Sequence, residues 1–221
     1  MSKTIVITGA NRGIGLCFAQ QYASTGASVY AICRTPSPEL EALDLTVISG
    51  VDVGQPDCVA NIKKALSGLS IDLLINNAGI LNNDSLGSMD YDAIRQQIEV
   101  NALAPLKITE ALIPQLAADA KIAMITSRMG SMADNGSGGY YGYRMSKAAL
   151  NMASVSLAQD LKPQGIAVGI LHPGFVSTEM VGGQGDISPN VAAERLIQRI
   201  EELNIENTGT FWHSYGDKLP W

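Results

Sequence analysis

The chain has 221 residues, 46% of them hydrophobic, and a formal net charge of −6, which is enough apolar material for a substantial core and fits one domain of the larger α/β kind. Its 15 Lys and Arg are scattered, which speaks against a nucleic-acid surface, because phosphate binding needs clustered basic residues. The cysteines Cys17, Cys33 and Cys58 are odd in number and far apart, and the histidines are His172 and His213, so neither a disulfide framework nor a metal site is expected.

No stretch approaches the roughly 18 consecutive apolar residues of a membrane span, and the apolar run in MSKTIVITGANRG is too short for a signal-peptide core. The expectation is a soluble cytoplasmic protein with neither membrane nor nucleic acid among its partners. The sequence has no linker-like run, no fixed-period repeat and no block of like charge, so residues 1–221 read as one domain.

Thr4 to Thr8 is a β-branched strand, and TGANRGIG, Thr8 to Gly15, follows it at the start of a helix near 13–25. Unpaired N–H groups and the dipole at such a helix start favour a phosphate. Gly9, Gly13 and Gly15 supply the tight turn and close approach, in the spacing G-x-x-x-G-x-G rather than the common G-x-G-x-x-G. Strands are expected next at Val29 to Cys33 and Leu45 to Ile48, then a helix near 56–68, a strand at Leu73 to Asn76 and a long helix near 90–117. Ile122 to Ser127 reads as strand, 141–162 as helix, Ala167 to Leu171 as strand, 189–203 as helix and Thr210 to Trp212 as a seventh strand. Each return to the same sheet needs a crossover, so strand-helix-strand repetition implies parallel pairing. The predicted fold class is α/β: a doubly wound Rossmann fold, with a seven-stranded parallel sheet and helices on both faces. Ligands in such sheets bind outside the carboxyl ends of the strands.

Within GYYGYRMSKAALNMA, residues 139–153, Tyr140, Tyr141 and Tyr143 precede Lys147 by seven, six and four residues. The spacing of four stacks phenol and ammonium one helical turn apart, which singles out Tyr143. No G-x-S-x-G elbow follows any strand, so the sequence lacks the signal of a Ser-His-Asp hydrolase. His172 reads as a packed residue at a strand end.

Taken together, TGANRGIG, NNAG at Asn76 to Gly79, Asn101 in VNALAP, Ser127 in TSRMG, YRMSK from Tyr143 to Lys147 and HPGFVST from His172 to Thr178 resemble the short-chain dehydrogenase/reductase family. The resemblance covers nearly the whole chain in the family's order. The closing GTFWHSYGDKLPW, with GANRGIGL, resembles the branch that contains C-factor and sniffer-type carbonyl reductases. The resemblance implies an oxidoreductase interconverting a carbonyl and an alcohol by hydride transfer. Tyr143 would be its general acid/base, Ser127 would hold the carbonyl oxygen, and Asn101 would position a water that links Lys147 to solvent. Lys147 would bind the nicotinamide ribose and, by its charge, lower the pKa of the phenol.

The same resemblance implies a nicotinamide cofactor on Gly9, Asn11, Arg12, Gly13, Ile14 and Gly15. Asp52 and Val53 would meet the adenine, and Asn77, Ala78 and Gly79 the adenosine path. Pro173, Gly174, Val176 and Thr178 would frame the nicotinamide, close to Tyr143 and Lys147. Where an NAD-binding member usually carries an acid after the second strand, this chain has Cys33 and Arg34. Arg12 and Arg34 therefore point to NADP(H) over NAD(H). Residues 179–188, EMVGGQGDIS, are short and glycine-rich and predict a small, mobile lid over the substrate. A homodimer or homotetramer is implied through the helices near 90–117 and 141–162. A second reading keeps the fold and the cofactor in a signalling protein with little turnover.

Overall fold

The structure, a computed structural model, describes residues 2–221. Its elements in chain order are β1 (Thr4–Thr8), α1 (Gly13–Ser24), β2 (Ser28–Ile32), α2 (Pro38–Glu41), β3 (Thr46–Ile48), α3 (Cys58–Ala65), β4 (Ile71–Asn76) and α4 (Tyr91–Ile98). They continue with α5 (Ala104–Leu112), β5 (Leu116–Ile125), α6 (Tyr141–Leu161), β6 (Ala167–His172), α7 (Pro189–Glu202) and β7 (Phe211–His213). The seven strands form one sheet in the order β3-β2-β1-β4-β5-β6-β7, and every pairing is parallel. Strand order reverses between β1 and β4, which opens a crevice at their carboxyl ends.

The alternation of side chains along each strand feeds two cores. Val6, Leu74, Ile122, Met124 and Val168 pack on one face against Ile62 of α3, Ile108 and Leu112 of α5, and Leu150, Leu157 and Leu161 of α6. Ile5, Ile7, Val29, Ala31, Leu73, Ile75 and Leu171 pack on the other against Phe18 and Tyr22 of α1 and Leu196 and Ile200 of α7. Burial on both faces is what makes these strands near-continuous apolar runs. Among the described residues, no helix is long and apolar enough to cross a membrane.

Two expectations need correction. The helix expected over 90–117 is not one helix: α4 passes through a π turn, Glu99–Leu103, into α5. Pro105 has no N–H, so the α-helical donor to the Asn101 carbonyl is missing, and the Ala104 N–H reaches back to Glu99 instead. The helix ends before Pro114, and β5 begins at Leu116 rather than Ile122, with an irregular register against β4 between Ile71 and Leu73. The one-turn helix α2 was not expected; Ser37 caps it by accepting from the Leu40 N–H at 3.3 Å, with Pro38 at its first position.

Candidate active site

The glycine turn is built by close contacts rather than by glycine content. Gly9 lies at φ +66°, and a Cβ there would sit 2.8 Å from Ala78 Cα. A Cβ on Gly15 would sit 2.1 Å from the Gly9 carbonyl oxygen. Thr8 and Asn77 lock this turn to the one after β4: Thr8 Oγ1 accepts from the N–H groups of Asn77 and Ala78 at 3.0 and 3.1 Å, and Asn77 Nδ2 donates to the Thr8 and Gly9 carbonyls, each at 3.1 Å. The N-terminus of α1 has no side-chain cap and no acid in its first turn, so its N–H groups and dipole stand open to an anion.

That turn is one wall of a cavity of about 540 Å³, which also takes in Arg34, Asp52, Val53, Asn77, Ala78, Gly79, Lys147, Pro173 and Thr178. Asn11, Arg12, Ile14 and the three turn glycines complete that wall. Asp52 is fixed by accepting from the Gly54 N–H at 3.0 Å. A second cavity, of about 740 Å³, is lined by Ser127, Met129, Gly174, Phe175, Val176, His172 and His213, among others. Gly174 and Val176 line the second cavity, and their neighbours Pro173 and Thr178 line both. Tyr143 lines both, whereas Lys147 lines only the first and Ser127 only the second.

Tyr143 and Lys147 stand one turn apart on α6, with Lys147 Nζ 5.8 Å from the centre of the phenol ring. Lys147 Nζ donates to the Ile125 carbonyl at 2.9 Å, and burial pulls its pKa down to about 8. Burial pushes the Tyr143 phenol up to about 12, opposed by the Ser127 hydroxyl. The phenol thus lies above its ordinary value, because desolvation outweighs the hydrogen bond with Ser127, and the neutral phenol is the form held at neutral pH.

Asn101 is fully buried in the π turn and lines neither cavity. Its Oδ1 accepts from the Ile80 N–H at 2.8 Å, and its Nδ2 donates to the Ile80 carbonyl at 2.8 Å and to Ser146 Oγ at 2.9 Å. Both Nδ2 hydrogens are thus taken, and Oδ1 keeps one lone pair. The turn after β4 still brings Asn101 and Lys147 together, because a Cβ at Gly79 would lie 3.3 Å from Asn101 Oδ1 and 3.7 Å from Lys147 Nζ.

Several contributors escaped the sequence reading. Gly130 ends a 3-10 turn, Arg128–Gly130, and a Cβ on it would lie 2.7 Å from the Lys147 carbonyl carbon. Asp84, 4% exposed, accepts from the Gly142 N–H at 2.9 Å with Oδ2 and from the Tyr140 N–H at 2.8 Å with its backbone carbonyl. It therefore caps α6 from outside the helix, while Tyr140 takes a left-handed φ of 50°. Only the TSRMG motif hinted at Gly130; nothing local marks Asp84.

The two arginines differ. Arg12 forms an ion pair with Glu179 across the mouth of the first cavity, with 59% and 75% of the two side chains exposed. Arg34 makes no ion pair among the described residues and lines the same cavity. The lid is also less loose at its base than its glycines suggest. Ser177 N–H donates to the Ile187 carbonyl at 3.0 Å and Asp186 N–H to the Phe175 carbonyl at 2.8 Å, whereas the tip, Glu179 to Gln184, opens with a 3-10 turn and its amides bond only locally: Val181 and Gly183 to Thr178, Gly182 to Glu179 and Gln184 to Val181. Among the described residues, no cluster of three or more His, Cys, Asp or Glu is arranged to hold a metal ion.

Comparison with known proteins agrees with this geometry. The chain is 41% identical over 225 residues to 1-hydroxy-2-glutathionyl-2-methyl-3-butene dehydrogenase of Rhodococcus sp. (strain AD45), covering 99% of this chain and 100% of that protein. It is 43% identical over 154 residues to C-signal of Myxococcus xanthus, covering 68% of this chain and 93% of that one. The crystal structure of NADPH-bound carbonyl reductase from chicken fatty liver superposes with a TM-score of 0.89 at 29% identity, covering 100% of this chain and 99% of that chain. The family model for short chain dehydrogenase matches residues 3–187, and the chain is an oxidoreductase belonging to the short-chain dehydrogenase/reductase family.

Proposed function

We propose that the protein reduces a ketone or aldehyde to the alcohol, and catalyses the reverse oxidation, with NADP(H) in the first cavity and the substrate in the second. The observation that carries this reading is the position of Tyr143, which among the residues lining both cavities is the ionisable one, with Lys147 on one side and Ser127 on the other. The first cavity fits a dinucleotide: Gly9 and Gly15 let the turn close tightly on Ala78 and on itself, and an uncapped helix N-terminus is open to the pyrophosphate. When bound, NADPH supplies the hydride that the carbonyl carbon accepts.

The residues of the chain do the rest. Ser127 donates a hydrogen bond to the carbonyl oxygen and fixes its position. Tyr143, held protonated by burial, donates its proton to that oxygen as the alcohol forms. Lys147 places a positive charge beneath the phenol, steadying the phenolate that proton donation leaves, and holds the ribose hydroxyls. Asn101 acts through its backbone: the carbonyl that Pro105 leaves without a helical donor accepts a water in the proton path to Lys147. Arg34 holds the 2′-phosphate, since its guanidinium has no competing carboxylate, and the NADPH of the chicken carbonyl reductase supports that choice. Exposed Leu103, Met145 and Met152 support subunit contact through the π turn and α6.

The test is NADPH oxidation against a panel of ketones and aldehydes, run beside a fluorescence titration of NADPH. Turnover with at least one carbonyl supports the reading. The match to C-signal favours a second one, a cofactor-binding signalling protein; saturable NADPH binding without turnover across the panel would select it.

A further inference from the structure

The far end of the second cavity carries a histidine pair that the proposed hydride transfer does not use. His172 and His213 are cross-strand partners on β6 and β7. Their rings meet edge to face with centroids 4.9 Å apart, and both line the cavity. His172 is 5% exposed, and its Nδ1 has no hydrogen-bond partner. His213 lies parallel to Tyr215 at 4.6 Å, and Arg195 covers the Tyr215 ring at 4.3 Å.

The orientation of His213 is fixed by its backbone neighbours. Its Nδ1 accepts from the Tyr215 N–H at 3.2 Å, so in the neutral ring the proton resides on Nε2. Nε2 makes no hydrogen bond among the described residues. Gly174, at φ +98°, leaves the space in front of it clear: a Cβ there would stand 3.6 Å from Cε1 and 3.9 Å from Nε2. Burial, then the Arg128 guanidinium, holds His213 below its ordinary value, with Arg195 acting in the same direction and Asp217 against it. Burial holds His172 lower still, at about 3. The wall is therefore a pair of neutral imidazoles, one of which aims an N–H into the cavity.

We propose that His213 is a specificity-determining residue that donates a hydrogen bond from Nε2 to an oxygen acceptor on the substrate, remote from the reacting carbonyl. β5, which ends two residues before Ser127, and β7, which ends at His213, are separated by β6. Two strand spacings put the second contact about 10 Å from the first. The substrate class is thus an elongated carbonyl compound with an apolar middle, which Met129, Phe175, Val176 and Ile187 would surround, and an ester, amide or carboxyl oxygen at its far end. This assignment rests on the carbonyl-reductase reading for the near end of the cavity.

The test compares methyl esters of ω-oxo-alkanoic acids that span this distance with n-alkanals of equal length. In the wild type, the ester-bearing aldehyde should have the higher kcat/KM by about two- to tenfold, the effect of one neutral hydrogen bond. His213→Phe, which keeps the ring stacked on Tyr215, should bring the ratio to about one, and His213→Gln should restore part of it. A wild-type ratio of one, or a ratio that survives His213→Phe, overturns the proposal. If neither aldehyde is turned over, the carbonyl-reductase reading falls separately. The subsite is then decided by calorimetry with the corresponding alcohols on the NADP⁺-loaded protein: a Kd ratio that collapses in His213→Phe sustains it, and equal Kd values in the wild type reject it.

Discussion

Replacing Lys147 by Met should make the protein more stable at neutral pH while it ruins turnover. The Lys147 ammonium is buried, and desolvation lowers its pKa from the usual 10.5 to about 8. That fall corresponds to about 3 kcal/mol of destabilisation when the side chain is charged. Loss of its 2.9 Å bond to the Ile125 carbonyl takes back about 1 kcal/mol, so the net gain in Lys147→Met should be about 2 kcal/mol at pH 7. For a chain of this length that raises Tm by about 4–8 °C. The sign with pH follows from proton counting. Between pH 8 and 10.5 the unfolded chain binds more protons at this site than the folded protein, so wild-type stability rises with pH across that window. The wild type should therefore recover ground on the variant as pH rises. Urea denaturation of both proteins at pH 7 and pH 10 measures the gap. A variant less stable than the wild type at pH 7, or a gap unchanged at pH 10, would refute the reasoning.

Tyr143→Phe should lower kcat by about 10²–10⁴-fold while NADPH affinity by fluorescence titration stays within about twofold; a variant with half the wild-type rate would remove Tyr143 from its role, and Tyr141→Phe is the control. Arg34→Ala should cut the preference for NADPH over NADH in kcat/KM by about tenfold or more. Arg12→Ala should cut it less, because Arg12 is engaged by Glu179; equal effects of the two substitutions would contradict this ranking. Gly15→Ala should abolish cofactor binding, since its Cβ would meet the Gly9 carbonyl oxygen at 2.1 Å, and a near-normal Kd for NADPH would show that the turn yields. In hydrogen exchange, the amides of Ser177 and Asp186 should be protected and those of Glu179 to Gln184 should exchange quickly until ligand binds; protection throughout without ligand would argue against a moving tip.

The seven strands and most helices were legible because each is a local run of apolar residues with a clear period and a turn at its end. The glycine turn was legible because Gly9 takes a positive φ and Gly15 packs on the Gly9 carbonyl six residues back, while the seat of Gly9 against Ala78 was not. The π turn was not: its cause, Pro105, looks in the sequence like a tolerated first-turn proline, and the broken ladder is visible only once the Ala104 N–H is seen bonded to the Glu99 carbonyl. Asp84 and His213 were missed for a related reason. Asp84 acts on a helix 58 residues further on, and His213 faces a cavity whose other walls come from β5, β6 and the lid. No spacing rule within one segment carries such information. The Tyr143–Lys147 pairing was legible as geometry, but not the sign of the pKa shift, because burial is a property of the assembled fold.

The close seat of Gly130 against the backbone of α6 at Lys147 bears on how far this site tolerates change. The strand end that bears Ser127 and the helix that bears Tyr143 and Lys147 are cast as one block, with no slack in which one of the three can drift relative to the others. On the proposed mechanism, a substitution that unseats Gly130 would misplace the three together and cost rate. The tip beyond Thr178 and the chain leaving β7 hang outside that block, so a new side chain there would change the walls of the second cavity and leave the block in place.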